Sequence, residues 1–323
     1  MRDPGKTVVL AGGVGAARFL RGVVRAVPAE DLTIIVNTGD DRAFYGAHVS
    51  PDLDIVTYTL ADRIDPERGF GLAGDTFKIV DRLAELGHEA WFRLGDADYA
   101  NCVHRTLRLA EGAGLDEVAD ELRRDHELAF RILPMSNDPC PTFVELSGEN
   151  ATGEGNRRLH FEEYLVRDRA PTNVAGVDLS AAAAAKPAPG VTHAITCADT
   201  ILVCPSNPIV SIGPILAVPG IREAIEASDA PIVGVSPIVG DAPIKGPAHI
   251  LLGAEGVEVS AVGVARFYRE WMGGFVFDAV DAAREREIED LGLMTEHLDT
   301  LMVNADVSEK VAQAALRVAA RLT

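Results

Sequence analysis

Cysteine is scarce in this 323-residue chain: four thiols, Cys102, Cys140, Cys197 and Cys204, with no C-x-x-C pair among them. That spacing argues against a zinc ribbon and against the disulfide framework of a small secreted fold, and it leaves reduced, partly buried thiols as the expectation. No apolar run approaches the ~18 residues that a membrane-spanning helix needs, and the N-terminus lacks the layout of a secretory signal peptide. Positive charge is short as well, with 30 Lys and Arg against 49 Asp and Glu and a net charge of −19. Such a field repels nucleic acid and anionic membrane surfaces at long range. The expectation is a cytoplasmic protein whose partners are small molecules, with neither nucleic acid nor membrane among them. The same charge raises a question, because an anionic substrate then needs glycine turns, helix N-termini, arginines or a bound cation to hold it.

What is present is alternation. Short apolar runs bounded by turn residues, Thr7 to Ala11 and Thr33 to Val36, flank a helix-period segment from Ala16 to Ala26, the order of a βαβ unit. Further strands are predicted at Trp91 to Leu94, Thr200 to Cys204 and Pro231 to Ser236, and helices at Thr76 to Leu86, with Asp75 as N-cap, and Asn101 to Gly112. Residues 116–185 read differently, as a charged helix from Asp116 to Arg124, Pro-rich turns, strand candidates at Phe143 to Leu146 and Arg158 to Phe161, and an alanine run at 181–185. The predicted architecture is an α/β, Rossmann-like, mostly parallel sheet flanked by helices. Its core is divided between 1–115 and 186–323 by an inserted α+β subdomain over 116–185.

Three stretches can carry chemistry. In "GGVGAARFL" a glycine turn ends a strand and opens a helix, an arrangement that delivers backbone N–H groups toward an anion. Arg18 stands where a dinucleotide fingerprint wants a small residue, and no Gly-Lys-Ser/Thr follows, so neither a Rossmann fingerprint nor a Walker loop is complete. In "VNTGDD" and "SPDLD", Asp40, Asp41, Asp52 and Asp54 gather at one sheet edge. A Pro-led extended segment would point Asp52 and Asp54 the same way. Clustered carboxylates repel unless a cation or shared proton relieves them, and hard oxygens suit Mg²⁺. In "PSNPIVSIGPIL", prolines stiffen an apolar loop after a strand, and Ser206, Asn207 and Ser211 supply neutral donors and acceptors; "SPIVGDAPIKGP" is a second rigid loop, with Lys245 offering positive charge. No Ser-His-Asp order or H-E-x-x-H helix is present, and His104 and His160 read as ordinary surface or packing residues.

Taken in order along the chain, "GGVGAARFL", "VNTGDD", "SPDLD", "GLAGDTF", "RLGDADYA", "ILPMSNDP", "HFEEYLV", "PSNPIVSIGPIL" and "SPIVGDAPIKGPA" resemble the 2-phospho-L-lactate transferases of coenzyme F-420 biosynthesis. The resemblance thins between about Gly148 and Ala185. It implies a Mg²⁺-dependent phosphotransferase, cytoplasmic and homodimeric. Such an enzyme moves a 2-phospholactyl or phosphoenolpyruvyl group from a GDP-linked donor to the 5′-hydroxyl of the deazaflavin Fo, releasing GMP. It further implies Asp40 and Asp54 as catalytic, metal-associated carboxylates and Asp54 with Arg93 as Fo contacts. Gly12, Gly13, Gly15, Asn37, Ser206, Asn207, Ser211 and Gly213 are implied around the nucleotide and its phosphates. Archaeal-type members read Gly-Thr-Gly-Thr-Pro-Lys where this chain has Gly-Val-Gly-Ala-Ala-Arg, a form similar to the bacterial branch. The rival reading is a YvcK-type regulator that binds nucleotide sugars without catalysis; such proteins generally lack the "SPDLD" acids.

Overall fold

Thr7–Ala11 is buried along its whole length, and a run so short can be covered on both faces only as an interior strand. The computed structural model describes residues 4–148, 156–244 and 246–323 and places this strand, β1, inside a seven-stranded sheet. Its companions are β2 (Leu32–Val36), β3 (Arg131–Pro134), β4 (Thr200–Val203), β5 (Ile232–Val235), β6 (Gly274–Asp278) and β7 (Met294–Leu298). The spatial order is β3-β2-β1-β4-β5-β6-β7, every neighbouring pair parallel, with Val9 opposite both Ile34 and Leu202. Chain order therefore reverses between β1 and β4, and in open α/β sheets ligands bind in the crevice beyond the carboxyl ends of the strands at such a switch.

Alternate residues feed opposite cores. Val9, Ile34 and Leu202 pack with α1 (Gly13–Ala26) and the C-terminal helix Ala305–Leu322, while Leu10, Ile35, Ile201 and Val203 face the other layer, with Ile215, Ile221, Leu251 and Tyr268. No helix among the described residues is long and apolar enough to cross a membrane.

Within 116–185, helix α5 (Leu115–Asp125) packs on β3, and β3 is an edge strand of the main sheet. Phe143–Leu146 stands outside that sheet and pairs antiparallel with Arg157–His160 and Val174–Asp178. The alanine run forms one helical turn, Ser180–Ala183.

Two expectations for the segment between α2 (Pro51–Leu60) and α4 (Asp96–Ala110) are corrected. Trp91 to Leu94 is irregular, not a strand. Its aromatics close a satellite core instead: Phe92 stacks on Phe44 at 3.9 Å and Trp91 meets the same ring edge-on at 5.2 Å. The helix after Asp75, α3, spans Lys78–Glu85, and Asp75 caps α4 rather than α3. Its carboxylate accepts the N–H of Ala97 at 2.9 Å and of Asp98 at 3.0 Å, while Asp96 accepts those of Lys78 and Ile79 at 3.1 and 2.9 Å. Each acid thus caps the other's helix, tying the strand-like loop across the cleft. Asp75→Ala should lower the unfolding free energy by about 1 kcal/mol in urea titration, the usual cost of a lost N-cap.

Candidate functional site

The turn after β1 and the loop after β4 meet at the switch point and form one wall of a cavity of about 530 Å³. Gly13 has a φ of +75°, a conformation that a side chain would strain. A Cβ on Gly15 would stand 2.6 Å from the carbonyl oxygen of Pro205, so the bare backbone is what lets the β4 loop lie against the first turn of α1. Ser206 Oγ donates to the Gly12 carbonyl at 2.8 Å and closes the same seam. No acid stands in the first turn of α1, so its N-terminus faces the cavity without a competing side chain of its own.

The β4 loop is rigid for a visible reason. Asn207 Oδ1 accepts the N–H groups of Ile209 and Val210 at 2.9 and 3.4 Å, and Pro208–Ile212 winds as an i→i+5 turn, a rare form found often at functional sites. Gly12, Gly13, Gly15, Ser206, Asn207 and Ser211 all reach the cavity wall. Asn37 and Gly213 do not. Asn37 lies behind it, its Nδ2 donating to Asp52 Oδ2 at 2.9 Å and its Oδ1 accepting the Gly39 N–H at 2.8 Å; Gly213 opens the helix Gly213–Ala217 with the Pro208 carbonyl 3.1 Å from where its Cβ would be.

The acids separate into two groups because the extended segment expected at Pro51 is a helix. Pro51 starts α2, and two residues along a helix turn a side chain by about 200°. Asp52 therefore faces the glycine turn, where Asn37 and the Gly13 N–H hold it and burial pushes its carboxyl up to about 6. Asp40, 5% exposed, is raised well above the carboxylate range by burial and then by the charges of Asp52, Glu162 and Asp41. Its Oδ1 is buried without a hydrogen-bond partner. Glu162 completes this group, pushed up to about 8 by burial and by Asp52. Sequence reasoning gave Glu162 no role. The signal available was the "HFEEYLV" stretch, where one of two adjacent acids follows Phe161 into the core.

Asp54 points the other way, into a buried pair with Arg105 of α4. Arg105 Nη1 donates to Oδ2 at 3.2 Å and Nη2 to Oδ1, and the guanidinium, 1% exposed, also reaches the His48 carbonyl at 3.1 Å. Tyr58 donates its hydroxyl to Asp98 Oδ1 at 2.8 Å beside it, and burial followed by the Asp54 charge pushes Asp98 up to about 7. Oxygens of Asp54 and Asp98 and the Cys102 sulfur lie within 4.8 Å of one another, metal-like spacing, but the Arg105 guanidinium already supplies the positive charge there. Asp54 and Asp98 both retain a share of the cavity wall.

The opposite wall is apolar: Phe70, Trp91, Phe92, Leu165 and Ile244. Arg93 stands among them, 4.7 Å from the Phe77 ring centre and paired with Asp81 at 2.6 Å. His104 bonds Glu121 at 3.1 Å near the surface, and burial pushes His160 down to about 4, so neither is poised as a base at neutral pH. Lys245 lies outside the described residues.

Comparison with known proteins matches residues 7–320 to the family described as 2-phospho-L-lactate transferase CofD. A phosphoenolpyruvate transferase of Streptomyces griseus is 45% identical over 318 residues, covering 97% of this chain and 98% of that protein. A 2-phospho-L-lactate transferase of Methanosarcina mazei is 39% identical over 306 residues, 95% of this chain and 98% of the other. Among solved structures, a UPF0052 family member from Bacillus halodurans superposes with a TM-score of 0.62 at 18% identity, over 96% of this chain and 99% of that one, a likeness of fold.

Proposed function

Because this chain belongs to the 2-phospho-L-lactate transferase CofD family, we propose that it catalyses transfer of a phosphorylated three-carbon acid, phosphoenolpyruvyl in the first instance, from a GDP-linked donor to the 5′-hydroxyl of Fo. One observation carries the reading: at the sheet's switch point a glycine turn and three buried carboxylates, one with an unpartnered oxygen, face an aromatic wall across a single cavity. The hydroxyl oxygen forms the new bond to the phosphorus that bears the acid, the bond to the GMP oxygen breaks, and the hydroxyl proton must be taken up. Phosphoryl transfer of this kind asks the protein mainly for positioning and charge neutralisation.

The donor set fits Mg²⁺, since Asp40, Asp52 and Glu162 offer hard oxygens and Asp40 Oδ1 lacks any partner within the chain. Bound there, the ion would neutralise diphosphate charge. The chain's own parts do the rest. The glycine-turn amides and the capped β4 loop frame the nucleotide, and the aromatic wall with Arg93 receives the flat deazaflavin. Asp54, fixed by Arg105 at the cavity wall, is oriented to accept the hydroxyl proton. The 45% identity to a phosphoenolpyruvate transferase supports the unsaturated donor.

The test is a side-by-side assay of phosphoenolpyruvyl, phospholactyl and phosphoglyceryl GDP donors with Fo and Mg²⁺, detecting GMP and product by mass. No product from any donor, with retained nucleotide-sugar binding, would favour the non-catalytic regulator instead.

Removal of the divalent ion has an expected signature. The folded-state values of Asp52 and Glu162 are raised above those of the unfolded chain, so their contribution is most favourable near pH 4 and is lost as pH rises through about 6 and 8. Without cation the melting temperature should fall between pH 4 and 8, and Mg²⁺ should raise it more at pH 8 than at pH 5, in scanning calorimetry. Glu162→Gln should flatten both trends.

A further inference from the structure

We propose that Arg18 is the residue that grips the anionic end of the donor, and this rests on the transferase reading. Arginine in this acidic chain is almost always taken: Arg21, Arg25, Arg42, Arg105 and Arg108 are each bound to a carboxylate, as are most of the rest. Two cations reach the cavity wall among the described residues, Arg18 and Arg93. Arg93 is paired with Asp81 and leans on Phe77. Arg18 has neither an ion pair nor a hydrogen bond from its side chain among the described residues, although five carboxylates, Asp40, Asp52, Asp54, Asp98 and Glu162, line the same cavity.

An unpaired guanidinium one helical turn past a glycine turn is placed for a ligand rather than for the fold. Arg18 is exposed, on the same helix whose Gly12 to Gly15 end borders the cavity, so dipole and guanidinium bear on the same anion. A GDP-linked acid brings two such anions, the diphosphate and the carboxylate. The carboxyl walls repel both, and a cation at Asp40 and Asp52 lies on the buried side of the site, which leaves the outer charge to Arg18. Its planar fork suits either oxyanion bidentately, whereas a lysine would supply charge without that geometry.

The experiment compares wild type, Arg18→Ala and Arg18→Lys for steady-state turnover of the GDP-linked donor. Alongside, calorimetric binding of that donor, of GDP and of Fo is measured with Mg²⁺ present. Arg18→Ala should lower kcat/KM for the donor by about 30-fold, the scale of one charge-assisted pair, with Fo affinity and melting temperature unchanged and Arg18→Lys between the two. Equal loss of GDP affinity assigns the guanidinium to the diphosphate; unchanged GDP affinity with weakened donor binding assigns it to the carboxylate. Donor kcat/KM and affinity within twofold of wild type in Arg18→Ala would overturn the inference while leaving the transferase reading intact. A wild type that binds donor without turnover would instead overturn that reading, with Arg18 still judged by the binding arm, and a wild type that binds no donor would overturn both.

Discussion

Asp40→Asn should lower turnover by roughly a hundred- to a thousand-fold, the scale of losing one preorganised electrostatic group, and should at the same time raise the melting temperature of the cation-free protein at pH 8. The two effects have one cause. Asp40 is buried at 5% exposure with an unpartnered Oδ1, and burial together with the charges of Asp52, Glu162 and Asp41 opposes its ionisation. An amide of nearly the same shape removes the charge, so the repulsion that destabilises the empty site disappears along with the oxygen that would hold the ion. Near pH 4, where the neighbouring carboxyls take up protons, the gain in melting temperature should shrink. Functional sites retain such locally unfavourable groups at a cost to stability. Turnover and melting temperature falling together would show instead that Asp40 is a structural residue.

The parts of this site that local sequence signals describe are those set by the strands themselves. β1, β2 and β4 are short apolar runs with turn residues at their ends, and whatever follows them in a parallel sheet must gather at one edge, which is why the glycine turn, Asp40 and the Pro205 to Ser211 loop could be placed together without coordinates. Asp52 and Asp54 were harder because proline suits both an extended segment and the first turn of a helix. The deciding hint was Ser50-Pro51 ahead of two acids, a helix-start pattern, and one change of period sent the two carboxylates to different neighbours. Arg105 was legible in principle: Asp98, Cys102 and Arg105 fall on one face of α4 at i, i+4 and i+7. An arginine on that face reads as solvated until its partner is known, and the partner is 51 residues away. Glu162 is the extreme case. It reaches Asp40 and Asp52 only through the packing of the three-stranded sheet's turn against the main sheet, a tertiary fact with no local period.

The pair of Asp54 with Arg105 gives the largest expected effect on the fold. Both groups are almost wholly enclosed, and removing either leaves the other charge buried without its counterpart, a loss of about 3–5 kcal/mol in comparable pairs. Asp54→Asn should therefore cost stability as well as turnover. Its amide keeps the volume and one acceptor, so the loss should sit at the low end of that range. Arg105→Met should fall at the high end, because Asp54 then faces Asp98 and Cys102 with no positive charge among them, and Asp98, already pushed up to about 7, gains a repelling neighbour. The double variant Asp54→Leu with Arg105→Met should recover part of what the single changes lose, since an apolar pair of similar volume carries no buried charge. Urea titrations of the four proteins close a double-mutant cycle. A coupling near zero would mean that the guanidinium and carboxylate act independently, and Asp54 would then owe its orientation at the cavity wall to α2 alone. A large coupling, with the double variant folded and inactive, would separate the pair's contribution to stability from the part Asp54 plays toward the acceptor hydroxyl.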